Sequence, residues 1–266
     1  MLTRISRATS IILGFLTATA LALPAQGDQL LLSADYMVDT VSGELIADPA
    51  VLISDGVIEA VGTRATLTAG ENVQTIHLQG KTLLPGFMDM HVHLDSPPGK
   101  VSFLERRLQS VPRKTINAVA NAEKTLMAGF TSVRNVGASN YSVIAIREAI
   151  NDGDISGPRI WAVGPAIGIT GGHCDDNFSP PELEQKKRGV ADGPWAVREK
   201  VRENIKYGAD AIKFCATGGV FSRGTKVGQI QYSFEEMQAP VKHEQYLWAN
   251  ASFLKIEQLA RAFVKN

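Results

Sequence analysis

From residue 85 onward, short apolar runs alternate with stretches of helical periodicity, and this alternation restricts the fold more than any other feature. Strands are predicted over Phe87–His91, Thr131–Asn135, Arg159–Val163 and Ala211–Cys215, and helices over Thr115–Ala128, Ser142–Asn151 and Trp195–Tyr207. In the first helix, Ile116, Val119, Ala120, Glu123, Leu126 and Met127 give a mostly apolar stripe, and Gly129 follows as a stop. Alternating β and α elements imply a parallel sheet, which short buried strands fit. Right-handed crossovers wind such a sheet into a barrel or a doubly wound layer, so the expected fold class is α/β.

The preceding residues have a different texture. Residues 28–84 carry short β-branched runs punctuated by Ser42-Gly43, Asp48-Pro49 and Asp55-Gly56, and they read as a small all-β unit. His77 falls inside it, expected on a solvated face. Residues 1–27 open with Arg4 and Arg7, continue with an apolar centre from Ile11 to Leu23 and end in small residues. That centre is short for a membrane span, which needs ~20 residues, and suits a secretory signal cleaved between Ala22 and Gly27. The expected location is secreted or periplasmic, with no membrane span after cleavage. Equal numbers of basic and acidic residues, 27 each, argue against nucleic acid as a partner. Two cysteines, Cys174 and Cys215, do not make a disulfide framework, and each is expected as a small buried side chain. Nothing in the sequence fixes the oligomeric state, and a homo-oligomer stays open.

Two local patterns point to chemistry. In "GFMDMHVHLD", residues 86–95, His91 and His93 stand two apart on a strand and project from one face. They lie just before a loop, where an α/β barrel places its reactive groups. The pair reads as a metal site or as two polar residues on an exposed face. In "GADAIKFCATGG", Lys213 interrupts a strand-like apolar run. Lysine is rarely buried without a partner, and burial lowers its proton affinity. Three readings stay open: a lysine snorkelling to the strand end, a Schiff-base nucleophile, and a lysine modified into an anionic metal ligand. Two long loops, residues 164–180 and 216–232, follow strands and belong with the expected active face.

Four stretches, "LLPGFMDMHVHL", "GFTSVRNVG", "GPRIWAVGPAIGITGGH" and "GADAIKFCATGGVFS", in this order resemble the metal-dependent amidohydrolase superfamily. The likeness is strongest to its imidazolonepropionase-like and Xaa-Pro or Xaa-Arg/Lys dipeptidase branch, and it runs from about residue 30 to about residue 239. The resemblance implies a (β/α)8 barrel beside a small β-sandwich, and hydrolysis of amide bonds in small peptide or amide substrates. It also implies a dinuclear zinc centre. By position His91 and His93 match the family's first-strand metal ligands, and Lys213 matches its carboxylated, metal-bridging lysine. His173 resembles a substrate-contacting loop histidine. Asn135 stands where relatives often carry aspartate, which leaves it a supporting role, and Cys174 stands where they often have glycine.

The family pattern continues with two histidines ending the fifth and sixth strands and a catalytic aspartate ending the eighth. This sequence has five histidines, only His243 follows Lys213, and no aspartate follows Asp210. His243 falls in a helix opened by the capping box of Ser233 and Glu236. From Pro240 the text departs from the family and resembles unrelated coding sequence. Residues 85–239 are therefore expected to form about four of eight barrel strands, with 240–266 a divergent tail and no catalytic residue supplied by the chain. A noncatalytic, weakly metal-binding fragment is the alternative expectation.

Overall fold

The computed structural model describes residues 29–68, 70, 73–96, 105, 108–183, 188–220 and 222–239. The expected leader, 1–27, and the tail from Pro240 with His243 lie outside these residues. The chain divides into two units, Met1–Pro85 and Gly86–Asn266.

The first unit contains one five-stranded sheet. Strands β1 (Gln29–Val38), β2 (Leu45–Ala47), β3 (Pro49–Ser54), β4 (Val57–Thr63) and β5 (Gln74–Leu83) are built around β1, which pairs antiparallel with β2 and β3 and parallel with β5. The β3–β4 hairpin turns at Asp55-Gly56, with φ of 50° and 75°. Two consecutive positive φ values are what a tight hairpin needs to match the right-handed twist of its strands. His77 lies on β5 beside Ser33, whose Oγ is 3.1 Å from its Nδ1, and its Nε2 is 3.6 Å from the Asp35 carboxylate.

The second unit opens with a parallel sheet in the order β6 (Phe87–Val92), β7 (Phe130–Asn135), β8 (Arg159–Ala162). Helix α1 (Val111–Met127) connects β6 to β7, and α2 (Ser142–Asn151) connects β7 to β8. Helix α1 starts four residues before the expected Thr115, because Ser110 caps it and proline occupies its first turn. Gly129, at φ 93°, ends it as expected. One face of the sheet packs on the helices: Val133, Ile160 and Ala162 meet Ala118 and Ala122 of α1 and Val143, Ile144 and Ile146 of α2. On the other face Met88 is 70% and Trp161 43% exposed, while Ser132 is buried.

The fourth expected strand is corrected. Residues 211–215 form no ladder; they make one parallel bridge, Ile167 to Phe214. Two hydrogen bonds hold it, Ile167 N–H to Lys213 O and Cys215 N–H to Ile167 O, both 2.8 Å. The segment pairs with the loop after β8 rather than with β8 itself, and a single bridge does not propagate into a strand. Its other anchor is Asp210, whose carboxylate accepts from Arg147 Nη1 at 2.6 Å and from Ala162 N–H at 2.8 Å. Helix α3 (Gly193–Lys206) packs Val197 and Val201 with Ile167, Tyr232 and Ala239 in a second core.

The capping box at Ser233 is present. Glu236 N–H donates to Ser233 Oγ at 3.3 Å, and Ser233 N–H donates to Glu236 Oε2 at 2.8 Å. The other oxygen of Glu236 accepts from Gly193 N–H at the start of α3 at 2.6 Å. A Ser233→Ala variant is expected to lose about 1 kcal/mol of stability in urea unfolding. An unchanged midpoint would count against the cap.

Candidate functional site

Strand β6 delivers its histidines at its C-terminal end. Val92, between them, packs against the helix-facing core, so His91 and His93 project from the opposite face and are exposed. Their ring centroids are 5.5 Å apart. The His91 backbone N–H donates to Asp89 Oδ1 at 2.9 Å. His93 turns its Nδ1 to the Gly137 carbonyl at 3.0 Å.

The charge of Lys213 acts on His91. Lost hydration, then the positive charge of Lys213 and those of His93 and Arg134, hold the His91 imidazole below its ordinary proton affinity. Lys213 is half-buried rather than sealed in a strand. Burial, followed by the charge of Arg134, lowers its own proton affinity. Arg134 projects from β7, where its Nε donates to Met90 O at 2.9 Å. His91 and His93 thus stand together at the carboxyl end of β6, and the charges of Lys213 and Arg134 are both felt at the His91 imidazole.

His173 sits elsewhere in the same unit. Its ring Nδ1 meets Ser222 Oγ, and its backbone N–H donates to Gln231 Oε1 at 3.1 Å. Ser222 Oγ also donates to the His173 carbonyl at 3.2 Å. These contacts tie the loop of residues 164–180 to that of residues 216–232. An open cavity of about 630 Å³ lies between the loops, lined by Asn177, Phe178, Ser179 and Arg223 among others; none of the four candidate residues lines it.

The expectation of two separate thiols is corrected: Cys174 and Cys215 form a disulfide, with Cα atoms 6.2 Å apart. Two loops that are distant in sequence fold onto each other, which brings the sulfurs together. Gly168 makes room for it, since a Cβ there would meet Cys174 Cβ at 2.7 Å. The bridge joins the residue after His173 to the residue two past Lys213.

Sequence reasoning also missed the buried polar network behind His93. Asn135, fully buried, accepts from Leu94 N–H at 2.8 Å and donates to the Gly137 carbonyl at 3.0 Å. Asp95, 5% exposed, accepts from Ser139 N–H at 2.9 Å. A polar asparagine ending an apolar strand was the available signal; its partners are main-chain atoms and leave no mark in the sequence.

Two imidazoles on one strand fit a divalent ion as two of its ligands, since zinc takes nitrogen and oxygen donors. A lysine ammonium does not fit; its amine would have to be carboxylated. Among the described residues no group of three or more histidine, cysteine, aspartate or glutamate side chains converges on one point.

Comparison with known proteins agrees with this geometry. Ochratoxinase from Aspergillus niger is 31% identical over 218 residues, covering 75% of this chain and 45% of the relative. A Xaa-Pro dipeptidase crystallised with methionine in its active site superposes with a TM-score of 0.72 at 33% identity, over 82% of this chain and 54% of that one. A prolidase complexed with N-methylphosphonate-L-proline superposes at 0.70 and 31% identity, over 82% and 53%. The chain thus spans about half the length of these relatives. A sequence profile described as the Amidohydrolase family matches residues 82–258, a stretch that takes in the whole parallel sheet, both long loops, His91, His93, His173 and Lys213. With a parallel α/β layer, a histidine pair at its carboxyl end and that match over most of the chain, this protein belongs to the amidohydrolase family.

Proposed function

We propose that this chain carries the amino-terminal part of a metal-dependent centre that hydrolyses amide bonds in small substrates, dipeptides above all. The observation that carries the reading is the His91–His93 pair, ring centroids 5.5 Å apart, at the carboxyl end of β6, where an α/β barrel performs its chemistry; Lys213, whose charge acts on His91, is read as the third member. Residues 85–239 are read as about half of a (β/α)8 barrel, residues 28–84 as the amino-terminal share of a β-sandwich and 1–27 as a leader; the profile match continues past residue 239 to residue 258, which sets aside the departure expected from Pro240. The dipeptidase and prolidase among the similar structures support dipeptides as the substrate class. The leader pattern and the disulfide support a secreted or periplasmic location.

His91 and His93 would hold a zinc ion, and Lys213 would add an oxygen once its amine has attacked CO2 and lost a proton to solvent, leaving a carbamate. A depressed proton affinity keeps more of that amine neutral and able to attack. The bound ion would polarise the scissile carbonyl and acidify a water. His173 would contact the substrate from the loop pinned by the disulfide. The second reading, a noncatalytic metal-binding piece, is favoured by one observation: among the described residues no group of three or more histidine, cysteine, aspartate or glutamate side chains converges on one point.

The test is binding rather than turnover. A phosphonate analogue of an Xaa-Pro dipeptide is expected to bind the zinc-loaded chain and not the metal-free chain. Equal binding by both, or by neither, contradicts a metal-centred amide site. Borohydride trapping with a carbonyl substrate, if it labelled Lys213, would point to a Schiff base instead.

A further inference from the structure

We infer that Asn135 and Gly137 are positioning residues that set the tautomer of His93 and leave its Nε2 lone pair free for a ligand. The inference deepens the proposed function and rests on His93 as a metal ligand in that reading. His93 Nδ1 lies 3.0 Å from the Gly137 carbonyl oxygen. A carbonyl only accepts, so in the neutral ring Nδ1 carries the hydrogen and Nε2 carries the lone pair. An imidazole free in water prefers the opposite tautomer, so the protein has to impose this one.

The carbonyl is itself held in place. The Asn135 amide donates to Gly137 O at 3.0 Å while its oxygen accepts from Leu94 N–H at 2.8 Å, and the side chain is fully buried. Interchanging the amide's O and N would set donor against donor at Leu94 and acceptor against acceptor at Gly137, so the orientation is determined. Leu94 directly follows His93, so one amide grips the backbone beside the imidazole and the carbonyl that receives its hydrogen. Gly137 adopts φ +146°, a conformation that favours glycine, and a Cβ there would stand 3.4 Å from His93 Cε1. The ring lies in van der Waals contact with the position a side chain at 137 would take.

An aspartate at position 135 keeps the acceptor for Leu94 but loses the donor to Gly137, and it turns a negative oxygen toward that carbonyl. Asparagine is thus the residue type this geometry requires, and it departs here from the aspartate of the resembling pattern. Partners of this kind behind metal-binding histidines typically change metal affinity by ~10–100-fold when mutated.

The experiment is nitrogen-15 NMR of the histidine rings in the metal-free full chain, followed by zinc titration of the same samples. Wild-type His93 is expected as the Nδ1–H tautomer. Asn135→Asp is expected to move it toward Nε2–H and to weaken zinc binding ~10–100-fold. His173, on a loop of the same unit, serves as a control whose signals stay fixed if the variant folds. Gly137→Ala displaces the same carbonyl from a different residue and is expected to act in the same direction, and it replaces Asn135→Asp should that variant not fold. Wild-type His93 found as Nε2–H would overturn the inference, as would a folded Asn135→Asp with unchanged tautomer and zinc affinity. Nδ1–H in a wild-type chain that binds no zinc would leave the positioning intact and sink the metal reading.

Discussion

Reconstituted with zinc in bicarbonate, the 266-residue chain is expected to show no dipeptidase turnover near ordinary enzyme rates, which are of order 1–10³ s⁻¹. Amide hydrolysis needs a group that takes a proton from water and passes it to the leaving amine. Loss of such a general base costs ~10²–10⁴-fold in rate. The family places an aspartate in that role late in the barrel, and this sequence has none beyond Asp210. Asp210 is already committed, with its carboxylate held by Arg147 and by the Ala162 backbone. The resemblance also implies two later histidine ligands, and in these 266 residues only His243 follows Lys213. The check is an assay against Xaa-Pro, Xaa-Arg and Xaa-Lys dipeptides, with His91→Ala and Lys213→Ala as controls. Turnover within the ordinary range that both variants abolish would contradict the prediction. It would mean that the missing groups come from another chain.

Reducing the Cys174–Cys215 bridge is expected to destabilise the unit that begins at Gly86 by about 4 kcal/mol, the chain-entropy value for a 41-residue separation. The bridge closes the chain between the two long loops and fixes the His173 loop against the segment of Lys213, which has only one bridge of its own. Cys215 is 4% exposed, so its half of the bond is shielded and Cys174 is the better site to change. Urea unfolding of Cys174→Ala should match wild type under reductant, and reductant should not shift Cys174→Ala further. A wild-type midpoint indifferent to reductant would contradict a bridge in the native state.

The parts of the fold read most directly from the sequence are those set by near neighbours. The Asp55-Gly56 hairpin follows from two residues that accept positive φ, and the capping box from Ser233 and Glu236 three apart. The apolar stripe of helix α1 begins four residues after its true start, and the start is marked instead by Ser110 and the first-turn proline. Residues 211–215 have the composition of a strand, yet strand formation depends on a partner elsewhere, and the partner offered is a single position, Ile167. Cys174 and Cys215 gave no sign of pairing, since two cysteines 41 residues apart specify no proximity. His91 and His93 were legible as a pair because the two-residue period of a strand is local. The Asn135–Gly137–His93 network was not, because its central atom is a backbone oxygen.

The central claim, that His91, His93 and Lys213 form one metal site, is tested most directly by calorimetric titration of the chain with zinc in bicarbonate buffer. Wild type is expected to take up one ion per chain. His91→Ala and His93→Ala should each abolish that binding, and Lys213→Ala should weaken it in bicarbonate but not in carbonate-free buffer, where there is no carbamate to lose. Wild type that binds no zinc, or histidine variants that bind it as tightly as wild type, would contradict the claim.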